Sequence, residues 1–197
     1  MIRVHSFSAA GGHAVNEDAF LIRELPRAHF VALADGQGGR AGGARAAQLA
    51  CEVAAREGPE AADVAVAADP AAGFTTLVTL LIEGDRATGA SCGDSAAVAV
   101  NRNGAPRVLT SRQFKNPPVG SGDATFVPFE MALVAPWKVL VMSDGVWKFA
   151  TWDHVWDCAA RLSGEELVAE LQVPARLKTT GEFQDDFTVV LLESDGP

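Results

Sequence analysis

An α+β layered domain with largely antiparallel sheets is the fold this sequence predicts, and three features of its patterning predict it. Short runs that are apolar or alternating, each bounded by Gly, Pro, Asn or Asp, recur along the whole chain and mark it as sheet-rich. Several follow one another through turns such as "IEGDRA" and "NRNGAP", which are too short for a crossover, so those neighbours run antiparallel. Amphipathic helical patterns arrive in pairs between the strand blocks, which places helices over the outer faces of the sheets.

Taken in order, the strands "IRVHSFSA" (2–9), "DAFLIREL" (18–25) and "HFVALAD" (29–35) are separated by a Gly pair and by Pro26. Helices follow over "GGARAAQLACEVAARE" (42–57), stopped by Gly58-Pro59, and over "EAADVAVAA" (60–68). A second strand block holds "FTTLVTLLIE" (74–83), "ATGASCGD" (87–94), "SAAVAVNR" (95–102), "ATFVPFEMAL" (124–133) and "KVLVMSD" (138–144). The pattern closes with helices "TWDHVWDCAARL" (151–162) and "GEELVAELQ" (164–172) and a last strand, "FTVVLLES" (187–194).

No repeat or low-complexity linker divides the 197 residues, and a hydrophobic fraction of 48% supplies a full core, so residues 1–197 form a single domain. The net charge of -9 argues against nucleic acid or an anionic membrane as a partner, because a phosphate surface needs a basic face. The N-terminus lacks a basic leader and no stretch approaches the roughly 18 apolar residues of a membrane span, so the expected location is the cytoplasm. Cys51, Cys92 and Cys158 have no metal-ligand spacing and suit reduced core thiols.

The acidic residues fall in a pattern of their own. Asp18 opens a strand in "NEDAF", Asp35 ends "FVALAD", Asp94 lies in "CGDS", Asp144 ends "VLVMSD", and Asp185 and Asp186 precede "FTVVLL". Apolar flanks force these carboxylates toward a shared sheet edge, where like charges coexist only if cations neutralise them. An all-oxygen donor set selects hard ions such as Mg²⁺ or Mn²⁺ over Zn²⁺. Asp94 itself is read as a turn residue, since Asp-Ser after Gly is ordinary hairpin chemistry. Trp152 and Trp156, four apart on a helix, are read as core, and His5, His29 and His154 as structural or exposed.

The ordered set "NEDAF … LADGQGG … GFTTLVTLLI … CGDSAAVAV … VLVMSDGVW … DDFTVVLL", from about residue 4 to about residue 193, resembles the type 2C, or PPM, family of metal-dependent protein serine/threonine phosphatases. The resemblance implies a four-layer αββα sandwich, two antiparallel sheets flanked by helices. It also implies a hydrolase that works with two Mn²⁺ or Mg²⁺ ions, in which a metal-bridging hydroxide attacks phosphoserine or phosphothreonine on a protein substrate. Carried over residue by residue, Asp35 bridges both metals, the carbonyl of Gly36 ligates one, and Asp144 and Asp185 hold the second. Asp18, beside Glu17, orders metal-bound waters. Asp69 falls near a third-metal position of some bacterial members. Asp186 stands where Asn is usual, which leaves the ligand of "DD" open to a slip of one.

The sequence also departs from the family pattern. Active members generally carry an Arg five residues before the Asp of "ED" that grips the phosphate bidentately, and here that position is His13. Gln37 follows Asp35-Gly36 where some members place a His general acid. Arg40 and Arg45 are candidate replacements for the clamp. The stretch from 107 to 139 leaves little room for the flap that many members set beside the metals, so a compact, open site is expected, with a phosphorylated regulatory partner as substrate by analogy with short bacterial members. A catalytically weak or inactive domain that binds a phosphoprotein or regulatory partner is the alternative.

Overall fold

The computed structural model describes residues 1–38, 41–102 and 106–196. Its elements run β1 (Arg3–Ala9), β2 (Asp18–Leu25), β3 (Ala28–Asp35), α1 (Gly43–Glu57), α2 (Pro59–Ala68), β4 (Leu77–Glu83), β5 (Arg86–Cys92) and β6 (Ala96–Val100). After these come β7 (Pro106–Val108), β8 (Val127–Ala132), β9 (Trp137–Met142), α3 (Asp144–Ala150), α4 (Trp152–Arg161), α5 (Gly164–Ala175) and β10 (Phe187–Ser194). The strands form two antiparallel five-stranded sheets, ordered β1-β10-β9-β6-β7 and β2-β3-β4-β5-β8.

Strand alternation builds the four layers. Val139 and Val141 of β9 and Val190 and Leu192 of β10 meet Val31, Leu33, Leu80 and Ile82 of the other sheet in the sandwich interior. Their neighbours Leu140, Met142, Val189 and Leu191 turn the opposite way, onto Val146, Val155, Leu167 and Leu171 of α3, α4 and α5. This two-sided burial is why β9 and β10 read as unbroken apolar runs. On the second sheet, Ala32 and Ala34 face Ala46, Ala47 and Ala50 of α1, and small side chains on both sides let that helix lie close. All three cysteines are buried free thiols. No described helix is long and apolar enough to cross a membrane.

Two elements were not foreseen. A short helix, α3, starts directly after β9, so Asp144 is the first residue of a helix rather than the last of a strand. The three-residue β7 pairs only with β6. The strand expected from residue 74 starts at Leu77, because Thr75 and Thr76 are spent on holding the end of β3.

Candidate metal centre

Asp35 ends β3 directly across from Asp18, which begins β2. The backbone of Asp35 is locked by its neighbours: its N–H donates to the Thr76 hydroxyl at 2.9 Å, and its carbonyl accepts from the Thr75 hydroxyl at 2.8 Å. Asp94 sits in the turn between β5 and β6. Asp144 follows Ser143, whose backbone N–H donates to the Thr188 carbonyl and whose hydroxyl accepts from the Thr188 N–H, both at 3.0 Å, clamping the end of β9 onto the start of β10. Trp147, one turn along α3, donates its indole N–H to the Asp94 carbonyl at 3.1 Å and so ties the helix that carries Asp144 to the turn that carries Asp94.

The "DD" pair is separated by what each carboxylate touches. Asp186 accepts from the Gly11 and Glu17 N–H groups at 2.8 and 2.6 Å, so both its oxygens serve the backbone. Both aspartates line the cleft with Asp35 and Asp144, and among the described residues Asp185 accepts only from the Asp186 N–H, at 3.0 Å. Glycine is required on both sides of this dipeptide: a Cβ on Gly11 would come within 2.0 Å of the Asp185 carbonyl carbon, and one on Gly145 within 2.0 Å of the Asp186 carbonyl oxygen.

One carboxylate oxygen from each of Asp35, Asp94 and Asp144 lies within 4.8 Å of the others. They stand in a cavity of about 310 Å³ that Asp185, Gly36, Gln37, Glu17 and His13 also line. Asp18 lies behind them, 9% exposed, and neither of its carboxylate oxygens has a hydrogen-bond partner among the described residues. The Ser143 and Thr188 hydroxyls lie close to Asp18, but they are engaged with the Asp186 and Thr188 carbonyls and with Ser8. Burial, reinforced by Asp18, Asp144, Asp94 and Asp185, pushes Asp35 up to about 9. Burial pushes Asp18 up to about 7, with the neighbouring hydroxyls holding it back, and raises Asp144 against the opposing pull of Lys148. Desolvated carboxylates this close to one another retain protons when no cation is present.

Two lysines partly offset the charge. Lys148, one turn beyond Asp144 on α3, pairs with it, and Lys115 pairs with Asp94. Asp35 has four carboxylates around it, Asp18, Asp94, Asp144 and Asp185, and only Asp94 and Asp144 of these pair with a lysine. The orphaned oxygens of Asp18, the oxygen-only donor set and the surplus of negative charge all fit hard divalent cations.

Of the residues expected at the site, Asp35, Gly36, Asp144, Asp185 and His13 line the cleft, while Asp18 supports it from behind. His13 is a rim residue whose Nδ1 lies 2.9 Å from the Val15 carbonyl and 3.7 Å from Asp186. Asp94, read as a turn residue, is in the turn and also in the carboxylate cluster. Asp69 is not among the cleft residues. It pairs with Arg45 at 3.0 Å and accepts from the Ala71 N–H, so neither Asp69 nor Arg45 faces the cluster. Arg40 lies outside the described residues. Lys115, Asn116 and Pro118, from the segment between β7 and β8, also line the cleft. The lysines were missed because nothing local in "QFKNPP" or "GVWKFA" signals an acidic partner.

No protein-family model matches the sequence, and no curated protein matches it. Solved structures do. The serine/threonine phosphatase Stp1 from Staphylococcus aureus superposes with a TM-score of 0.81 at 17% identity, over 100% of this chain and 96% of that one. The Mycobacterium tuberculosis serine/threonine phosphatase PstP/Ppp gives 0.78 at 21% identity, over 99% of both chains. RsbX, solved in complex with magnesium, gives 0.79 at 15% identity, over 98% of this chain and 94% of that one. The chain therefore has the fold of the PPM-type serine/threonine phosphatases, from end to end.

Proposed function

We propose that this chain is a metal-dependent protein serine/threonine phosphatase that hydrolyses phosphoserine or phosphothreonine on a protein substrate, using two Mn²⁺ or Mg²⁺ ions. The observation that carries the reading is the convergence of Asp35 at the end of β3, Asp94 in the β5–β6 turn and Asp144 at the start of α3, within 4.8 Å of one another in a cleft. A purely structural domain has no use for such a group, because each added carboxylate raises the cost of burying the rest. The fold shared with named serine/threonine phosphatases supports the substrate class.

Asp35, the Gly36 carbonyl, Asp144 and Asp185 are the groups that would hold the ions, and Asp94 shares the cluster with Asp35 and Asp144. Divalent ions held there would supply an ionised water at neutral pH and charge to offset the phosphate. Asp18 keeps two buried acceptor oxygens free for ordered water. His13 gives its Nδ1–H to the Val15 carbonyl, so its Nε2 can donate to a phosphate oxygen at the rim only when the ring is in the imidazolium form. A cavity of about 310 Å³ has room for a phosphorylated side chain and its immediate neighbours, so the rest of a protein substrate would lie across the surrounding surface.

A catalytically weak phosphoprotein-binding relative is the second reading, and His13 favours it: with Nδ1–H given to the Val15 carbonyl, a neutral His13 has no N–H left for a phosphate, where an Arg would supply two charge-assisted hydrogen bonds. Hydrolysis of an aryl phosphate by the chelated protein, then with Mn²⁺ restored, separates the two. The phosphatase reading expects activity only with metal, and loss of most of it in Asp35→Asn and Asp144→Asn. Phosphopeptide binding without turnover at millimolar Mn²⁺ would move the assignment to the second reading.

A further inference from the structure

Resting on the phosphatase reading, we propose that Lys115 is the residue that holds the substrate phosphate in this chain. Among the described residues lining the cleft, acidic side chains dominate and Lys115 is the only lysine or arginine. Lys148 pairs with Asp144 and is not among the cleft-lining residues, and Arg45 is taken by Asp69. Among the described residues, a phosphate dianion entering the cavity therefore meets one permanent cation, Lys115.

The segment carrying Lys115 is built as a platform. The Phe114 carbonyl accepts from the Gly93 N–H at 2.8 Å, and the Gln113 side-chain amide donates to the Ser95 carbonyl at 2.9 Å. Beyond the lysine, the Pro117 carbonyl accepts from the Cys92 thiol at 3.4 Å, and Val119 exchanges two backbone hydrogen bonds with Thr75 at 3.0 and 3.1 Å. Further on, the buried carboxylate of Asp63 accepts from the Gly120, Gly122 and Ala124 N–H groups at 2.6, 3.2 and 3.0 Å. The backbone on both sides of Lys115 is thereby tied to the turn that carries Asp94 and to the Thr75 that holds Asp35.

The side chain itself is 66% exposed, and among the described residues it pairs with the Asp94 carboxylate alone. An exposed ion pair of this kind is weak. A doubly charged phosphate beside it is a stronger partner, and a cation shared by Asp94 loosens the lysine further. A fixed backbone with one mobile ammonium places the charge near the phosphate while leaving the last few ångströms adjustable, as a site lacking a rigid Arg fork requires.

The test compares wild type, Lys115→Ala and Lys115→Arg in the Mn²⁺-loaded protein, with a phosphoserine peptide and with inorganic phosphate as inhibitor. Lys115→Ala is expected to raise KM and the phosphate inhibition constant together by roughly ten- to a hundredfold, the range for losing a hydrogen bond to a charged group, with a smaller change in kcat. Lys115→Arg should recover most of the loss. Calorimetry should find Mn²⁺ binding to Lys115→Ala no weaker than to wild type, because Asp94 loses a competitor. Unchanged KM and phosphate inhibition in Lys115→Ala would overturn the proposal, and so would a parallel loss of Mn²⁺ binding. If the wild type turns nothing over, the phosphatase reading fails on its own. Calorimetric binding of inorganic phosphate to the Mn²⁺-loaded wild type and Lys115→Ala then decides the lysine's role: weaker binding to the variant supports it and equal binding refutes it.

Discussion

Asp35→Asn in the metal-free protein is expected to remove a pH dependence of stability that the carboxylate cluster creates. Burial and four neighbouring carboxylates raise Asp35 from the ordinary 3.8 to about 9 in the folded protein. Across the interval between those values the native state holds a proton that the unfolded chain has released, so stability is full at low pH and falls as pH rises toward 9. Each pH unit costs about 1.4 kcal/mol per proton held, so from pH 6 to pH 8 this one group costs about 3 kcal/mol. For a chain of this length that corresponds to a fall in Tm of about 6–12 °C. Asn imitates the protonated acid at every pH and should flatten the curve by about that amount. Asp18, raised to about 7, leaves a residual slope in the same direction below pH 7. Thermal melts followed by circular dichroism in chelator at pH 6, 7 and 8 supply the comparison. Equal slopes in wild type and Asp35→Asn would refute the claim that the cluster stores protons in place of cations.

Lys148→Ala removes the i+4 counter-ion of Asp144 and should tighten Mn²⁺ binding several-fold in calorimetry while lowering the Tm of the metal-free protein. Asp63→Ala leaves three backbone N–H groups of the 120–124 segment without their acceptor and should cost about 3 kcal/mol or more in denaturant unfolding, well above an ordinary surface substitution. Trp147→Phe keeps the ring in its stack with Trp152, centroids 5.6 Å apart, but loses the bond to the Asp94 carbonyl, so a stability loss of about 1 kcal/mol is expected with a wider spread of metal affinity than of Tm. His13→Arg should lower KM for small phosphoesters in the Mn²⁺-dependent assay with the metal requirement unchanged, and an unaltered KM would show that the side chain does not reach the phosphate.

Asp35, Asp144 and Asp185 stand out in the sequence because each lies where an apolar run stops, and the end of a buried strand is a physical constraint on where a carboxylate can go. The runs in β9 and β10 are legible for the same reason, being buried on both faces. The turn around Asp94 is legible as a turn, but its tie to Asp144 comes from Trp147 reaching across from α3 to the Asp94 carbonyl, and α3 is only seven residues with a Gly in second place. The Gly11 and Glu17 amides that engage Asp186, and so favour Asp185 as the proposed ligand, lie more than 160 residues earlier. Asp63 reads as one polar position in an Ala-rich helix, because the amides it holds are 57 to 61 residues further on. Lys115 is separated from Asp94 by 21 residues and by a loop whose path no periodicity describes. What local pattern conveys is burial; pairings between distant segments come only from the packing of the two sheets.

The claim on which the rest depends is that these carboxylates form a two-metal centre. Anomalous diffraction from crystals grown in Mn²⁺ tests it directly. The account predicts two peaks roughly 3.5–4 Å apart in the cleft, with Asp35 between them and Asp144 and Asp185 on one ion. A cleft without anomalous density at millimolar Mn²⁺, or manganese bound elsewhere on this acidic surface, would contradict it.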